Sequence, residues 1–374
     1  MISLSRLSFA LSALLFASFT ATTSYAATTH RHHAAPHAHV VAKKKKLTRK
    51  PRSVHRATPA VAASKLPDAK RRAKQTKRAK TRHTPHDVPH KVVNIAPPSR
   101  ASHSAPVKSA ASAPRLLARC GFTMASRTRL FSRAVYIVDE PTHTQLYARN
   151  ADHVVPIASV SKLMTAVVWL DQRNAPLAQH IGVTSADLDT LKFTTSRLSV
   201  GSNLTRADML HIALMSSENR AAAALSRDYP GGRPAFVAAM NTKARSLGMP
   251  HTHFVNATGL SPQNVSTARE LANLVRAANA YPLIRRYSTD NEQRVPTGHG
   301  ALQYVSSNRL VRYGRVQASV QKTGFINESG HNMVLRMMVH GRRPVIVTML
   351  DSASAEGSRL DGERIAHWLN CSLR

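Results

Sequence analysis

The chain has 374 residues, enough for one large or two ordinary domains, and carries a formal net charge of +34. Roughly two thirds of that charge precedes Arg127, so the basic character belongs to a tail and not to the part with hydrophobic periodicity. After the opening apolar run no segment is long and apolar enough for a helix to span a bilayer, so the mature protein is expected to be soluble or peripherally attached.

Met1 to Arg6 is followed by the apolar stretch Leu7 to Phe19 and by Ser24-Tyr25-Ala26, with small residues where a signal peptidase inspects the chain. Ser and Thr interrupt the run, which falls short of the ~20 residues a membrane anchor needs. Residues 1–26 therefore read as a cleaved signal peptide, and the compartment as the periplasm. No cysteine lies near the cleavage point to take a lipid.

Residues 27–120 read as a disordered, basic, low-complexity arm. Lys, Arg, His, Ala, Pro, Ser and Thr dominate it, and such a segment cannot bury enough apolar surface to offset its ordering entropy. Its charge, concentrated in Lys43 to Lys46 and Lys70 to Lys74, suits a polyanion, and an anionic envelope surface is the expected partner. His30, His32, His33, His37 and His39 are chemically able to hold a transition metal, but the cluster reads first as a solvated low-complexity tract and no metal is assigned.

Residues 121–374 read as a catalytic domain. Ala134 to Asp139 and Gln145 to Arg149 alternate like the strands of a β-hairpin. Helical periodicity runs through Lys162 to Leu170, Ala207 to Met215, Ala235 to Leu247 and Ala268 to Ala278. Strands return at Ala318 to Thr323, Met333 to Val339 and Pro344 to Leu350, before a last helix around Leu360 to Leu369. The expected class is α+β, an antiparallel sheet flanked by helices. Cys120 and Cys371 bracket this domain, either as a bridge closing it or as two free thiols.

Three short patterns carry chemistry. Ser159-Val160-Ser161-Lys162 opens a helix, where positions three apart share a face, so the Lys162 amine reaches the Ser159 hydroxyl. To take the serine proton Lys162 must have a lowered pKa, through burial or a neighbouring cation. A second S-x-x-K, Ser319 to Lys322, lies in a strand-like segment that would point those side chains to opposite faces. Ser217-Glu218-Asn219 follows an apolar helix and delivers a hydroxyl and an amide; Ser306-Ser307-Asn308 is a rival of the same form. Lys322-Thr323-Gly324 offers a cation and a hydroxyl to a substrate carboxylate, and Gly324 lets a substrate backbone approach. The Phe325 N–H is positioned to join that of Ser159 in an oxyanion hole.

In this order, with 58 positions between Ser159 and Ser217, the triple resembles the motif set of penicillin-binding proteins and class A β-lactamases. Leu214-Met215-Ser216-Ser217-Glu218-Asn219-Arg220, Asp228-Tyr229-Pro230-Gly231-Gly232, Thr258-Gly259-Leu260 and Ser266 to Leu271 extend the likeness. The region is similar to the low-molecular-weight serine DD-peptidases, most of all the D-alanyl-D-alanine endopeptidases. The resemblance implies a β-lactamase/transpeptidase-like fold with neither metal nor cofactor. It implies that Ser159 is the acylated nucleophile, Lys162 its base and Ser217 the relay to the leaving amine. Asn219 would hold the acyl amide, Lys322 and Thr323 the terminal carboxylate.

Peptidoglycan crosslinks between D-Ala and diaminopimelate are then the expected substrate, and β-lactams covalent inhibitors. A D-Ala-D-Ala carboxypeptidase is the alternative; many of those carry an extra β-rich domain, whereas here one helix follows the last strand. A β-lactamase needs a carboxylate for the deacylating water, and Glu270-Leu271-Ala272-Asn273 has the wrong spacing for it. A non-catalytic wall-binding scaffold is the remaining alternative.

Overall fold

The computed structural model describes residues 113–172 and 176–373. The signal-peptide segment, the histidine cluster and nearly all of the arm lie outside the described residues.

Two strands open the folded part, β1 (Ser132–Asp139) and β2 (Gln145–Arg149). Six helices follow: α1 (Ser161–Leu170), α2 (Arg206–Met215), α3 (Asn219–Asp228), α4 (Gly232–Ser246), α5 (Ala268–Asn279) and α6 (Pro282–Thr289). Then come β3 (Ala318–Ile326), β4 (Gly330–Val339), β5 (Arg343–Ser352) and the last helix, α7 (Ala355–Ser372). The five strands form one antiparallel sheet in the order β2-β1-β5-β4-β3, which leaves β3 at an edge.

Alternation along the central strands explains the layering. Tyr136, Val138, Val334 and Ile346 face one core, shared with Leu163, Met164, Leu271 and Leu274 from α1 and α5. Val135, Ile137, Leu335 and Val347 face the other, against Ile365, Trp368 and Leu369 of α7. With apolar residues on both faces, β1 and β5 need cover on both sides, and the sheet is sandwiched between helices. Leu271, Leu274, Val275 and Ala278 give α5 a single buried stripe. By contrast α1 is buried from Ser161 to Trp169, all round, as a helix at the centre of a helical layer must be.

The hairpin, five helices and three late strands expected from periodicity are present with small shifts at their ends. Two helices and a ribbon were not anticipated. The run Ala221 to Ala224 has no polar face to show a period, yet forms the core of α3. Pro282 starts α6, and Glu292–Pro296 pairs with Ala301–Val305.

The segment before β1 is fastened to α7. Cys120 and Cys371 form a disulfide, so the bridge and not the free thiols is found. Leu116, inside the stretch read as arm, is buried against this core, and the Leu117 N–H donates to Ser372 Oγ at 3.0 Å. Deeper in, Asp361 of α7 is fully buried and accepts from Ser132 N at 2.7 Å, Ser132 Oγ at 2.8 Å and Phe131 N at 3.1 Å. Burial pushes its carboxyl above the usual range, offset by those donors. Asp361→Ala leaves two main-chain donors without an acceptor and is expected to cost about 2–4 kcal/mol. Urea unfolding followed by tryptophan fluorescence checks this; a loss under ~0.5 kcal/mol would show that the tie contributes little.

Candidate active site

Ser159 sits on a tight turn whose shape is over-determined. Val155 and Pro156 pair with Ser266 and Val265, and the Ile157 N–H donates to Asn264 O at 3.0 Å. Ala158 to Val160 then make a 3-10 turn that runs into α1. Ala158 has φ of +48°, a left-handed conformation that costs a residue with a Cβ about 1 kcal/mol or more. Ser161 Oγ donates to Ala158 O at 2.8 Å and in turn accepts from Asn264 Nδ2 at 2.9 Å, which holds the turn from below.

Two glycines press on it from the sides. A Cβ on Gly259 would stand 2.0 Å from Ala158 O, and one on Gly324 would stand 2.9 Å from both Ile157 O and Ser159 N. The absence of both Cβ atoms lets the 258–259 loop and the free edge of β3 approach the Ser159 backbone directly.

Lys162 lies one helical turn on, 1 % exposed. Its Nζ is 2.7 Å from Ser159 Oγ, 2.8 Å from Asn219 Oδ1 and 2.7 Å from Thr258 O. Burial drives its pKa down to about 7, against the opposing pull of the Glu218 carboxylate. Asn219 Oδ1 and Thr258 O only accept. A neutral amine with two N–H bonds therefore spends both on them, and its lone pair is left facing the Ser159 hydroxyl.

The second pattern occupies the turn between α2 and α3. Ser217 lines the cleft with φ of +63°, and Glu218 caps α3 by accepting from Arg220 N at 3.2 Å. The Glu218 carboxylate also accepts from Ser196 Oγ at 2.6 Å and Tyr304 Oη at 3.4 Å. Asn219 donates from Nδ2 to Thr194 Oγ1 at 3.1 Å, so its amide is fixed at both ends.

The third pattern is on β3. Thr323, Gly324 and Phe325 face Ser159, Ser217 and Asn219 across a cleft of about 330 Å³. Lys322 is fully buried and donates from Nζ to Thr323 O at 2.8 Å, so it stands behind the wall of the cleft. Burial, with the positive Lys162 nearby, pushes its pKa well below the ordinary lysine value. Thr323 Oγ1 is 2.8 Å from Ser307 Oγ. Phe325 is half exposed and stacks on His331 with centroids 4.2 Å apart.

All eight residues singled out in the three patterns thus meet around one cleft, six on its surface and Lys162 and Lys322 beneath it. The second S-x-x-K does not: Ser319 Oγ donates to Asn279 Oδ1 at 3.1 Å, at the other end of β3. The rival S-x-N proves structural and adjacent. Ser307 lines the cleft, while Asn308 Oδ1 accepts from Leu310 N at 3.0 Å and its Nδ2 donates to Gln321 Oε1 at 3.1 Å. Thr194, Arg309, His331 and Arg359 also line the cleft. They come from a loop, a turn, a neighbouring strand and α7, and no spacing in the sequence relates them to Ser159.

A model of the D-alanyl-D-alanine carboxypeptidase family matches residues 122–354. The D-alanyl-D-alanine endopeptidase of Pseudomonas aeruginosa is 44% identical over 242 residues, which are 64% of this chain and 77% of that protein. The D-alanyl-D-alanine endopeptidase of Escherichia coli is 42% identical over 260 residues, 69% of this chain and 83% of that protein. Among solved structures the Streptomyces K15 DD-transpeptidase superposes with a TM-score of 0.59 at 27% identity, covering 64% of this chain and 97% of that one. With three motif segments around one cleft and a family match over most of the folded part, the chain belongs to the D-alanyl-D-alanine carboxypeptidase family, the serine DD-peptidases of the penicillin-binding class.

Proposed function

We propose that the protein is an exported DD-endopeptidase that hydrolyses D-alanyl to diaminopimelate crosslinks in peptidoglycan through an acyl-enzyme on Ser159. The observation that carries the chemistry is the buried Lys162 amine, 2.7 Å from Ser159 Oγ with two acceptor-only partners beside it. The endopeptidase assignment draws support from the relatives that are 44% and 42% identical, both named for that activity.

In this reading Lys162 takes the hydroxyl proton as Ser159 Oγ attacks the D-alanyl carbonyl. The N–H groups of Ser159 and Phe325 stabilise the oxyanion, Gly324 allowing the substrate chain to lie against the edge strand. Asn219 orients the acyl-side amide. Thr323, backed by Ser307, binds the carboxylate next to the scissile bond, and the buried Lys322 contributes by orienting Thr323. Ser217 passes the proton to the departing amine, after which water repeats the sequence on the acyl-enzyme.

A β-lactamase reading is not supported. None of the described residues lining the cleft is a carboxylate, and Glu270 is committed to His251 and Thr252, with Thr252 Oγ1 donating at 2.6 Å. Penicillin is therefore expected to acylate Ser159 and to leave slowly.

Residues 1–26 would direct export to the periplasm, and residues 27–120 would tether the domain, 121–374, to an anionic envelope surface through counterion-screened attraction. Pelleting with purified sacculi should fall steeply between low and high salt and be lost on deleting residues 27–119. Undiminished binding by the truncated chain would dispose of the tether.

Mass spectrometry of the protein incubated with crosslinked muropeptide dimers should show conversion to monomers by wild type and none by Ser159→Ala. Release of terminal D-alanine alone would make it a carboxypeptidase; no product, and no labelling by fluorescent penicillin, would favour a scaffold.

The pH dependence follows from Lys162. Its neutral form is the base, so the rate of penicillin acylation should rise about tenfold per pH unit below the lysine's pKa of about 7 and level off above it. A profile flat between pH 5 and 8 would contradict the assignment.

A further inference from the structure

The cleft does not close at Thr323. Arg309 and Arg359 line it and also line a second hollow of about 270 Å³, whose other walls include Tyr313, Arg315, Glu356 and Glu363. The segment joining the two is rigidly seated. Ser307 meets Thr323, Asn308 is held on β3 through Gln321 and caps the helical turn Arg309–Arg312, and the Arg315 N–H closes that turn on Leu310 O at 2.8 Å.

The charges in this hollow are unevenly matched. Arg359 is bound by both Glu356 and Glu363, whereas Arg309 reaches Glu356 only at 3.9 Å with its side chain 65% exposed. Arg315 is exposed and has no acidic partner among the described residues. Three guanidinium groups face two carboxylates, and the surplus cation, Arg315, lines the second hollow but not the cleft itself. Tyr313 beside it is more than half exposed, a flat apolar surface on a charged rim.

The chemistry of the leaving group decides what such an extension can hold. A single D-alanine ends at its carboxylate and has nothing to place beyond Thr323. The amine released from a crosslink belongs to a diamino acid whose chain continues past that carboxylate into a peptide bearing further carboxylates. We infer that the hollow beyond Arg309 and Arg359 is a subsite for this amine-side peptide, its carboxylates paired with Arg315 and Arg309 and its backbone laid across Tyr313. The inference rests on the endopeptidase reading and names where the second half of the crosslink binds.

Arg315→Glu and Tyr313→Ala, made in the full chain, test it with three readouts: labelling by fluorescent penicillin, D-alanine release from a monomeric pentapeptide, and hydrolysis of a crosslinked dimer. Neither penicillin nor a free D-alanine leaving group extends into the hollow. Labelling and D-alanine release should stay within about twofold of wild type, while kcat/KM for the dimer falls roughly five- to tenfold, chiefly through KM. Labelling also reports that both variants fold. Dimer hydrolysis as fast as wild type, or an equal fall in all three readouts, would overturn the subsite alone. A wild type that releases D-alanine yet leaves dimers intact would remove the endopeptidase reading and the subsite with it.

Discussion

The arrangement of this domain depends on keeping one amine out of water. Drawing a lysine from 10.5 to about 7 represents about 5 kcal/mol of differential interaction, and the surrounding fold must supply it. The central, all-buried helix α1 does so by carrying Lys162 inside the helical layer, where the usual solvated position of a lysine is unavailable. Glu218 restrains the shift. Its own carboxylate is buried and bonded by Ser196 and Tyr304, so its field acts on Lys162 without contacting it. The motif residue between Ser217 and Asn219 thereby moderates the effect of burial on Lys162 while its neighbours line the cleft.

A buried amine is useful only if the hydroxyl beside it cannot move away. The Asn264 network and the two close-packed glycines hold the Ser159 turn, so strain at the left-handed Ala158 is balanced by contacts from the 256–264 loop and from β3. The sheet contributes its edge. In the order β2-β1-β5-β4-β3 the strand bearing Thr323 to Phe325 has neighbours on one side only, and its other side borders the cleft. An unpaired strand edge is ordinarily a liability. Here the part of the edge at Thr323 to Phe325 borders the cleft together with Ser159 and Asn219, where the proposed function places an extended peptide.

Much of this was legible in the sequence because it obeys simple periods. Spacing of three on a helix brings Ser159 and Lys162 together, and strand-like segments at both ends of the folded part with helical periods between them read as one α+β domain. Other features depend on tertiary packing that no local pattern encodes. The alanine run of α3 gives no amphipathic signal, because it is buried among helices on several sides. Lys322 reads as an exposed cation for a carboxylate, but a central position in β3 puts its side chain inside, where it acts on Thr323. Ser306-Ser307-Asn308 looks like a chance copy of a motif, yet Asn308 is the cap that holds Ser307 against Thr323. Arg359 reaches the cleft from α7, behind the sheet, and only the closing of the domain brings it there.

The same geometry accounts for an asymmetry between the two substrates of the proposed mechanism. When a peptide is cleaved, the amine departs and water can enter on the side it leaves, with Lys162 again neutral and facing the ester. A β-lactam keeps its amine tethered to the acyl group, so that approach stays blocked, and no carboxylate among the described cleft residues can activate water from another direction. A single buried base that serves both half-reactions is sufficient for a substrate whose leaving group departs. In the proposed mechanism it would be insufficient for an inhibitor whose leaving group stays, so a persistent acyl-enzyme is the expected consequence of where Lys162 lies.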